Sequence, residues 1–220
     1  MTRRGPSRWD VVNPHRAWFR ELSRYLVGLT WTMYRRRYAA ARIVFNHYAD
    51  RHEVRRAFLE TEWCLLRQPF YHRWSRWPDV ARHMTAAGPT ACVLDWGCGT
   101  GELLVWLLTQ CPTWRVRGWD LDSPHFRYAQ WRLARRGQGR SRPRGYDVVV
   151  CRETLEHVPN PVRVVEDLLA RVAPGGVLCW DFIDAHDGGA NCATPAARAT
   201  VLSLLGAEHD GHGETWHRPS

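Results

Sequence analysis

Apolar residues change their spacing near residue 88 and so divide the chain into two parts. In the first part they recur at intervals of three and four, as Leu22, Leu26 and Leu29 show. That spacing is typical of amphipathic helices. It predicts one helical element at about 14–43 and a second helical stretch at about 45–85.

In the second part, short apolar runs alternate with helical stretches, and this alternation predicts an α/β fold with a parallel sheet. The first predicted strand ends at Asp95. Three further strands are predicted at Arg115–Asp122, Tyr146–Cys151 and Val177–Ile183. The predicted helices lie at 103–108, at about 124–136, around 164–169 and at 195–205. A turn at Ala173–Gly176 is predicted before the last of these strands. Residues 206–220 leave room for one or two short strands at most.

Three glycines at alternate positions, Gly97, Gly99 and Gly101, follow the first predicted strand and precede a helix. Glycine is required where the backbone adopts a positive φ or where a ligand lies against the main chain. The helix start beyond them offers free N–H groups to an anionic ligand group. The next predicted strand leads to Asp120, 19 residues beyond Gly101. An acid at that distance binds both ribose hydroxyls of a nucleoside, so the turn predicts a nucleoside site.

The segment from Asp95 to Gly101 reads D-x-G-x-G-x-G and resembles motif I of the class I S-adenosylmethionine (SAM) methyltransferases. The family's aromatic-D-x-V-x-C strand, its L-E-H-V-P-x-P segment and its R-V-x-P-G-G turn follow in order. The resemblance implies a Rossmann-like methyltransferase sheet, methyltransferase activity and SAM as cofactor. The residues assigned to SAM are Asp95, Gly97, Cys98, Gly99, Gly101, Asp120, Leu121, Arg152 and Arg73.

The predicted sheet is shorter than that of the family, because Asp147 lies only 27 positions beyond Asp120. The family usually has a helix, a third strand and a further helix in this interval, and here one helix takes most of it. We therefore expect the third strand, an edge strand of the fold, to be missing. The family residue that binds the adenine amino group follows that strand, so adenine recognition stays open. Either the chain is a minimal enzyme, or a protein partner or a homo-oligomer completes the sheet.

Positive charge is concentrated in residues 1–88, which hold 17 arginines against 7 acidic residues. Residues 89–220 hold 14 arginines against 15 acidic residues, and the chain has no lysine. We divide the chain accordingly into a basic helical region, 1–88, and a SAM-binding core, 89–220. In the family, helices before motif I lie across the SAM pocket as a lid. The basic region has that role, or simply packs on the sheet with its arginines in solvent, or contacts an anionic membrane surface, or binds RNA.

Seven cysteines occur in the chain without a C-x-x-C pair. This usage predicts reduced thiols and a cytoplasmic protein. The sequence contains no apolar stretch close to the ~18 residues that a membrane-spanning helix needs.

The residues after the Tyr146–Cys151 strand face the transferred methyl group in this family. They lack the N/D-P-P-Y/F sequence of enzymes that methylate amino nitrogens, and Cys151 lacks the neighbouring proline of cytosine-C5 enzymes. Both classes are therefore disfavoured. What remains is an E-x-x-E-H arrangement of Glu153, Glu156 and His157, which share one face of a helical turn. These three hold a magnesium- or manganese-like ion, or His157 is a metal-free catalytic base, or all are structural.

The E-x-x-E-H-V-P-x-P stretch resembles the O-methyltransferases of ubiquinone biosynthesis, which implies O-methylation of a small or lipid-like hydroxyl compound. Its first five residues also resemble the small-RNA 3′-terminal 2′-O-methyltransferases. Those enzymes need a further histidine at their metal, and His186 is the candidate. The alternative function is therefore a metal-dependent RNA 2′-O-methyltransferase. A non-catalytic SAM-binding scaffold that needs a partner is the second alternative.

Overall fold

The computed structural model describes residues 14–50, 53–71, 80, 87–138, 145–182, 192–206 and 214–219. The helices are α1 (Pro14–Tyr25), α2 (Trp31–Ala49), α3 (Val54–Glu60), α4 (Trp63–Tyr71), α5 (Glu102–Gln110), α6 (Pro124–Ala134), α7 (Pro161–Leu169) and α8 (Pro195–Leu205). The strands are β1 (Cys92–Trp96), β2 (Arg115–Trp119), β3 (Tyr146–Cys151), β4 (Val172–Trp180) and β5 (Glu214–His217). A short 3-10 helix, Leu155–His157, follows β3.

The five strands form one sheet in the order β2-β1-β3-β4-β5. The first four run parallel, and β5 pairs antiparallel with β4. From β1 the chain passes to β2 on one side and then crosses to β3 on the other side. This reversal opens a crevice at the carboxyl ends of β1 and β3, where ligands bind in sheets of this kind. The predicted α/β class with a Rossmann-like sheet is confirmed.

Helices cover both faces of the sheet, which explains why its central strands are apolar almost throughout. Successive strand residues point to opposite faces. Val93 and Val148 therefore pack with α5 and α6, whereas Leu94 and Val149 pack with α7 and α8. Ser123, Asn160 and Thr194 begin α6, α7 and α8, and the side-chain oxygen of each accepts a backbone N–H within the first turn.

Strand β2 lies at the edge of the sheet, and no strand lies between it and β3 within residues 120–138 and 145. The side chain of Gln138 covers part of this edge. Its Oε1 accepts the Val116 N–H at 3.1 Å, and its Nε2 donates to the Trp114 carbonyl at 3.4 Å. One amide thus takes over two backbone contacts that a neighbouring strand would make, which reduces the cost of an unpaired edge.

Strand β4 begins earlier than the sequence predicts. The Ala173–Gly176 segment, expected as a turn before the strand, lies within it. Val172 already pairs with Tyr146, and the register shifts before Val148 pairs with Val177. The residues expected to end the helix instead form an irregular first part of the strand, which a sequence pattern of period two does not reveal.

The helical element predicted at 14–43 is wrong in its bounds, because two helices share this part of the chain. Gly28 adopts a φ of 85° in the turn after α1, and Thr30 then caps α2 by accepting the Met33 N–H. Helix α2 continues to Ala49, beyond the predicted break. The division of the chain into regions 1–88 and 89–220 stays a prediction.

The first four helices pack on one another and on the core. Leu22 of α1 shares an apolar cluster with Tyr128 of α6. The Tyr25 ring lies 5.1 Å from that of Tyr128 and 5.4 Å from that of Trp131. The region before the sheet is therefore attached to the α6 side of the fold. None of the helices within the described ranges has the length and apolar character needed to cross a bilayer.

Candidate functional site

The turn between β1 and α5 has the backbone conformation that its glycines allow. Gly97, Gly99 and Gly101 adopt φ values of 81°, 53° and 74°, in the region that other residues rarely occupy. The N–H groups of Gly97 and Cys98 both donate to the carbonyl of Trp119, at 2.7 and 3.1 Å. These bonds tie the turn to the end of β2.

Gly97 also has a steric reason to be glycine. A Cβ at this position would lie 2.9 Å from the Cβ of Thr154 and would overlap its Oγ1 and Cγ2 atoms. Thr154 belongs to the segment after β3, and its hydroxyl donates to the Arg152 carbonyl at 2.7 Å. The glycine turn and the segment after β3 therefore touch at this residue.

Asp120 lies at the tip of β2, where its carboxylate is held by the backbone. Oδ2 accepts the Gly99 N–H at 2.7 Å, and Oδ1 accepts the Leu121 N–H at 2.7 Å. The Nε2 atom of His125 lies 3.6 Å from Oδ1. This geometry holds the carboxylate beside the glycine turn, with lone pairs left for a diol.

Asp95, at the carboxyl end of β1, is buried beneath the turn. Burial, together with the negative charge of Asp120, raises the pKa of Asp95 to about 7. A cationic group of a ligand placed over the crevice would favour the ionised form of Asp95. Cys98 and Cys151 belong to the apolar clusters on opposite faces of the sheet, and burial raises the pKa of each thiol far above its ordinary value. Neither cysteine has the thiolate character of a nucleophile.

The E-x-x-E-H residues do not form one face of a helical turn, so that expectation is wrong. The 3-10 helix contains only Leu155–His157, and Glu153 precedes it with a φ of 49°. Glu156 is buried, and its Oε1 lies 3.9 Å from the Nε2 of His157. In the part of the chain that the structure describes, no group of three or more His, Cys, Asp or Glu side chains is arranged to hold a metal ion.

Asp181, which sequence reasoning missed, holds the segment after β3 in place. Its Oδ2 accepts the Arg152 Nε–H at 2.9 Å, and its Oδ1 accepts the Glu153 N–H at 2.5 Å. Burial raises the pKa of Asp181 to about 6, although Arg152 and the Glu153 N–H act in the opposite direction. The residue following β4 thus fixes the strained residue Glu153. Asp181 follows β4, and Arg152 follows the neighbouring strand β3. An acid and an arginine at adjacent strand ends are the signal that would have identified Asp181.

Arg132 of α6 is a second residue that sequence reasoning missed. It is buried, and its guanidinium donates to Glu102 Oε1 at 2.6 Å and to the Thr100 carbonyl at 2.9 Å. Glu21 of α1 lies 2.9 Å from the same guanidinium. The first helix is thereby connected to the last residues of the glycine turn through one arginine. The arginine-rich composition hides such a residue among many exposed ones.

Helices α3 and α4 lie over the site. The Phe58 ring is 5.2 Å from that of His157 and 6.4 Å from that of His125. Burial and the nearby charge of Asp120 raise the pKa of Cys64 to about 12, which places α4 close to the tip of β2. These contacts agree with the expectation of a lid, although that role itself stays a prediction.

The structure thus brings most of the predicted cofactor residues to one edge of the sheet, while Arg73 and His186 lie outside the described residues. The arrangement fits a nucleoside ligand with a cationic group. It has a backbone-held carboxylate for a diol, a buried acid of raised pKa, and a buried histidine, His125, whose Nδ1 has no hydrogen-bond partner among the described residues. The functional role of each residue stays a prediction.

Comparison with known proteins identifies the family. The family described as "Methyltransferase domain" matches residues 70–219, which is more than half of the chain. The chain is 31% identical over 130 residues to a ubiquinone biosynthesis O-methyltransferase of Paracidovorax citrulli, covering 53% of this chain and 50% of that protein. It is 32% identical over 146 residues to the protein of that name from Thiobacillus denitrificans, covering 61% and 56%.

The chain therefore spans about half the length of the curated relatives that it matches. Among solved structures, it is similar to a SAM-bound amino pentose methyltransferase of Micromonospora echinaspora involved in calicheamicin biosynthesis. The identity is 31%, the TM-score is 0.39, and the match covers 49% of this chain and 52% of that one.

Proposed function

The chain belongs to the methyltransferase domain family, and on that basis we propose that it transfers a methyl group from SAM to a hydroxyl oxygen. The acceptor is a small or lipid-like molecule. The observation that carries the proposal is the juxtaposition of the glycine turn with Asp120, whose carboxylate accepts the Gly99 N–H. The names of the curated relatives support oxygen as the acceptor atom.

The residues at the carboxyl edge divide the work of holding SAM. Asp120 would accept hydrogen bonds from the ribose hydroxyls, and the backbone of Gly97 to Gly101 would hold the rest of the ligand. Asp95, with its raised pKa, ionises as the cationic ligand arrives. When bound, SAM supplies an electrophilic methyl group on a positively charged sulfur. Methyl transfer then depends mainly on how the protein positions the two reactants.

His157 is the proposed base for the acceptor hydroxyl. Its Nε2 lies 3.9 Å from Glu156 Oε1, and the imidazole would take up the hydroxyl proton as the methyl group is transferred. Phe58 packs beside the imidazole, and the His157 side chain is only partly exposed.

The experiment that tests the proposal is an assay with isotopically labelled methyl-SAM and a panel of phenolic and lipid-like hydroxyl compounds. Mass spectrometry should locate the label on oxygen. His157→Ala should lower kcat by about 100-fold or more, the usual contribution of a general base. Its affinity for SAM should stay near that of the wild type, and this separates a catalytic role from a structural one.

A chelator distinguishes the metal-free reaction from the metal-dependent RNA alternative. We expect a chelator to leave the activity unchanged, because among the described residues no three His, Cys, Asp or Glu side chains are placed to hold a metal ion. Loss of activity with chelator and its return with magnesium or manganese would contradict this. Binding of SAM without methyl transfer to any acceptor would favour the scaffold alternative. A cytoplasmic location stays a prediction.

A further inference from the structure

Apolar side chains are exposed on α2 and on the turn before it. Five of the seven large apolar side chains that are exposed in the described chain lie between residues 27 and 44: Val27, Trp31, Met33, Ile43 and Val44. Val27 is 93% exposed and Ile43 is 69% exposed. We call these five residues the α2 outer patch. Single exposed apolar residues are common, but a concentration on one element indicates contact with something apolar.

Of the α2 outer patch, the fold uses Trp31, whose ring stacks on that of the buried Tyr34. The other residues through which helix α2 packs are Phe45 and Ala49, which are buried. Tyr34 joins the cluster of α1 and α6, and Phe45 joins a cluster with Ala57 and Trp63. The opposite side of the helix is therefore left to solvent after all the packing that the described residues provide.

Positive charge accompanies the patch. Arg35, Arg36 and Arg42 are exposed, and α2 contains no acidic residue. Arg37 is different, since it turns toward α4 and pairs with Glu62. The nearest acid along the chain is Asp50 at the C-cap, at the far end of the helix. The outward side of α2 thus presents Met33, Ile43 and Val44, with exposed guanidinium groups beside them.

We propose that α2 docks on an anionic lipid surface, with its outer patch in the headgroup region. Helices that lie in a membrane interface combine arginines with tryptophan and aliphatic residues in this way. The charge complements acidic headgroups, and the aliphatic residues leave water on contact. RNA would satisfy the arginines but offers nothing to Val27, Ile43 and Val44, because nucleic acids contact aromatic and cationic side chains.

The position of α2 brings the proposed membrane contact close to the candidate base. Phe45 of α2 contacts Phe58 of α3, with 5.6 Å between ring centroids, and Phe58 contacts His157. One layer of helices therefore separates the outer patch from the candidate base. A lipid-like molecule in the same membrane would reach the site at the helix that the protein places on the surface. The docking itself is independent of methyl transfer and is measured without it.

The test is co-sedimentation of the full chain with vesicles of neutral phosphatidylcholine or of phosphatidylcholine mixed with phosphatidylglycerol. The wild type should bind the anionic vesicles, less so at high salt. The variant R35Q/R36Q/R42Q should lose this binding, because each arginine near an anionic surface contributes roughly fivefold to partitioning. The variant I43S/V44S should weaken it by about tenfold through loss of apolar contact.

Two matched controls keep the result specific. Leu204→Ser removes an aliphatic residue of α8 with an exposure of 43%, close to the 44% of Val44. Arg171→Gln removes an exposed arginine after α7. Both controls should sediment like the wild type, and all variants should keep the SAM affinity of the wild type as evidence of folding.

Three results would overturn the proposal. The first is a wild type that binds neither vesicle, and the second is binding that both α2 variants retain. The third is salt-sensitive binding to a short RNA that is lost in R35Q/R36Q/R42Q but unchanged in I43S/V44S, with no binding to vesicles. That pattern would assign the arginines to nucleic acid.

Discussion

Two regions at the carboxyl edge of the sheet meet at Gly97 and Thr154, yet different forces hold them. The glycine turn is fixed by main-chain hydrogen bonds to Trp119 and by the Asp120 carboxylate, all at neighbouring strand ends. The segment from Arg152 to His157 is fixed by the side chain of Asp181, which lies 28 residues beyond Glu153. The N–H groups of Cys192 and Ala193 also donate to the Glu156 carbonyl, so the second region depends on parts of the chain that lie far along the sequence.

This difference suggests a division of labour. A site held by its backbone presents the same geometry whatever side chains surround it, as a cofactor shared by many acceptors requires. The segment held by the Arg152–Asp181 ion pair suits the acceptor side of the reaction, because it contains the candidate base His157. Substitutions in the two regions should therefore separate SAM affinity from turnover.

The largest effect is expected from Gly97→Ala, which affects both regions at their contact. A Cβ there overlaps Thr154, and the φ of 81° adds strain. We expect a loss of about 3 kcal/mol or more in the free energy of unfolding, from strain and overpacking together. Urea denaturation measures it.

Gly137→Ala is the matched control for this change. Gly137 has a φ of 73°, but nothing lies within 4 Å of the added Cβ. Gly137→Ala should lower the free energy of unfolding by only about 1 kcal/mol, from backbone strain alone. Thr154→Ala in the Gly97→Ala background should restore part of the loss. If the two glycine variants are equally destabilised, the contact between the two regions is not what Gly97 serves.

Asp181→Asn should affect the Arg152–His157 segment and leave the glycine turn unchanged. It removes the charge that faces Arg152, and breaking a buried pair of this kind costs about 3 kcal/mol of stability. We expect kcat to fall by about tenfold or more as Glu153 and His157 lose their position. The affinity for SAM, measured by titration calorimetry, should change by less than about twofold, since the glycine turn is held separately. A parallel loss of SAM affinity would show that Asp181 supports both regions.

Asp120→Ala should have the opposite pattern. It removes the acceptor of the ribose hydroxyls and of the Gly99 N–H. We expect SAM binding to weaken by ~1.5–3 kcal/mol, the scale of a hydrogen bond to a charged group. Asp120→Asn should lose less, because it keeps one acceptor oxygen. Unchanged affinity in Asp120→Ala would mean that the tip of β2 does not hold the ligand.

The last prediction concerns pH. Asp95 and Asp181 have raised pKa values of about 7 and about 6, so the folded chain binds more protons than the unfolded chain between roughly pH 4 and pH 7. The free energy of unfolding should therefore fall as the pH rises through this interval, by about 2 kcal/mol per pH unit near pH 6. Asp95→Asn should flatten that slope. Chemical denaturation at several pH values checks it, and an unchanged slope would contradict the raised pKa of Asp95.

The same contrast explains which parts of each region could be predicted from the sequence. The glycine turn, the strand ends and helix α8 (Pro195–Leu205) come from local signals, namely glycines, capping residues and apolar runs. The geometry of Glu153 does not, because it depends on the register of β3 and β4, which places Asp181 beside Arg152. Spacing alone suggested a helical turn, and the tertiary hydrogen bond from the Glu153 N–H prevents it.

The split between α1 and α2 was, by contrast, available from the sequence. Gly28 followed by Thr30 is a typical end of one helix and start of another. The apolar spacing continues across the turn, so periodicity alone predicted a single helix. The ion pair of Arg132 with Glu21 was not available, because nothing local distinguishes Arg132 from its many exposed counterparts.

The central claim is that the chain binds SAM at the carboxyl ends of β1 and β2. Isothermal titration of the folded wild type with SAM tests it most directly, with Asp120→Ala and Asp181→Asn titrated alongside. The account predicts one site, weakened in Asp120→Ala and nearly unchanged in Asp181→Asn. No binding of SAM to a wild type whose fold is intact would contradict it.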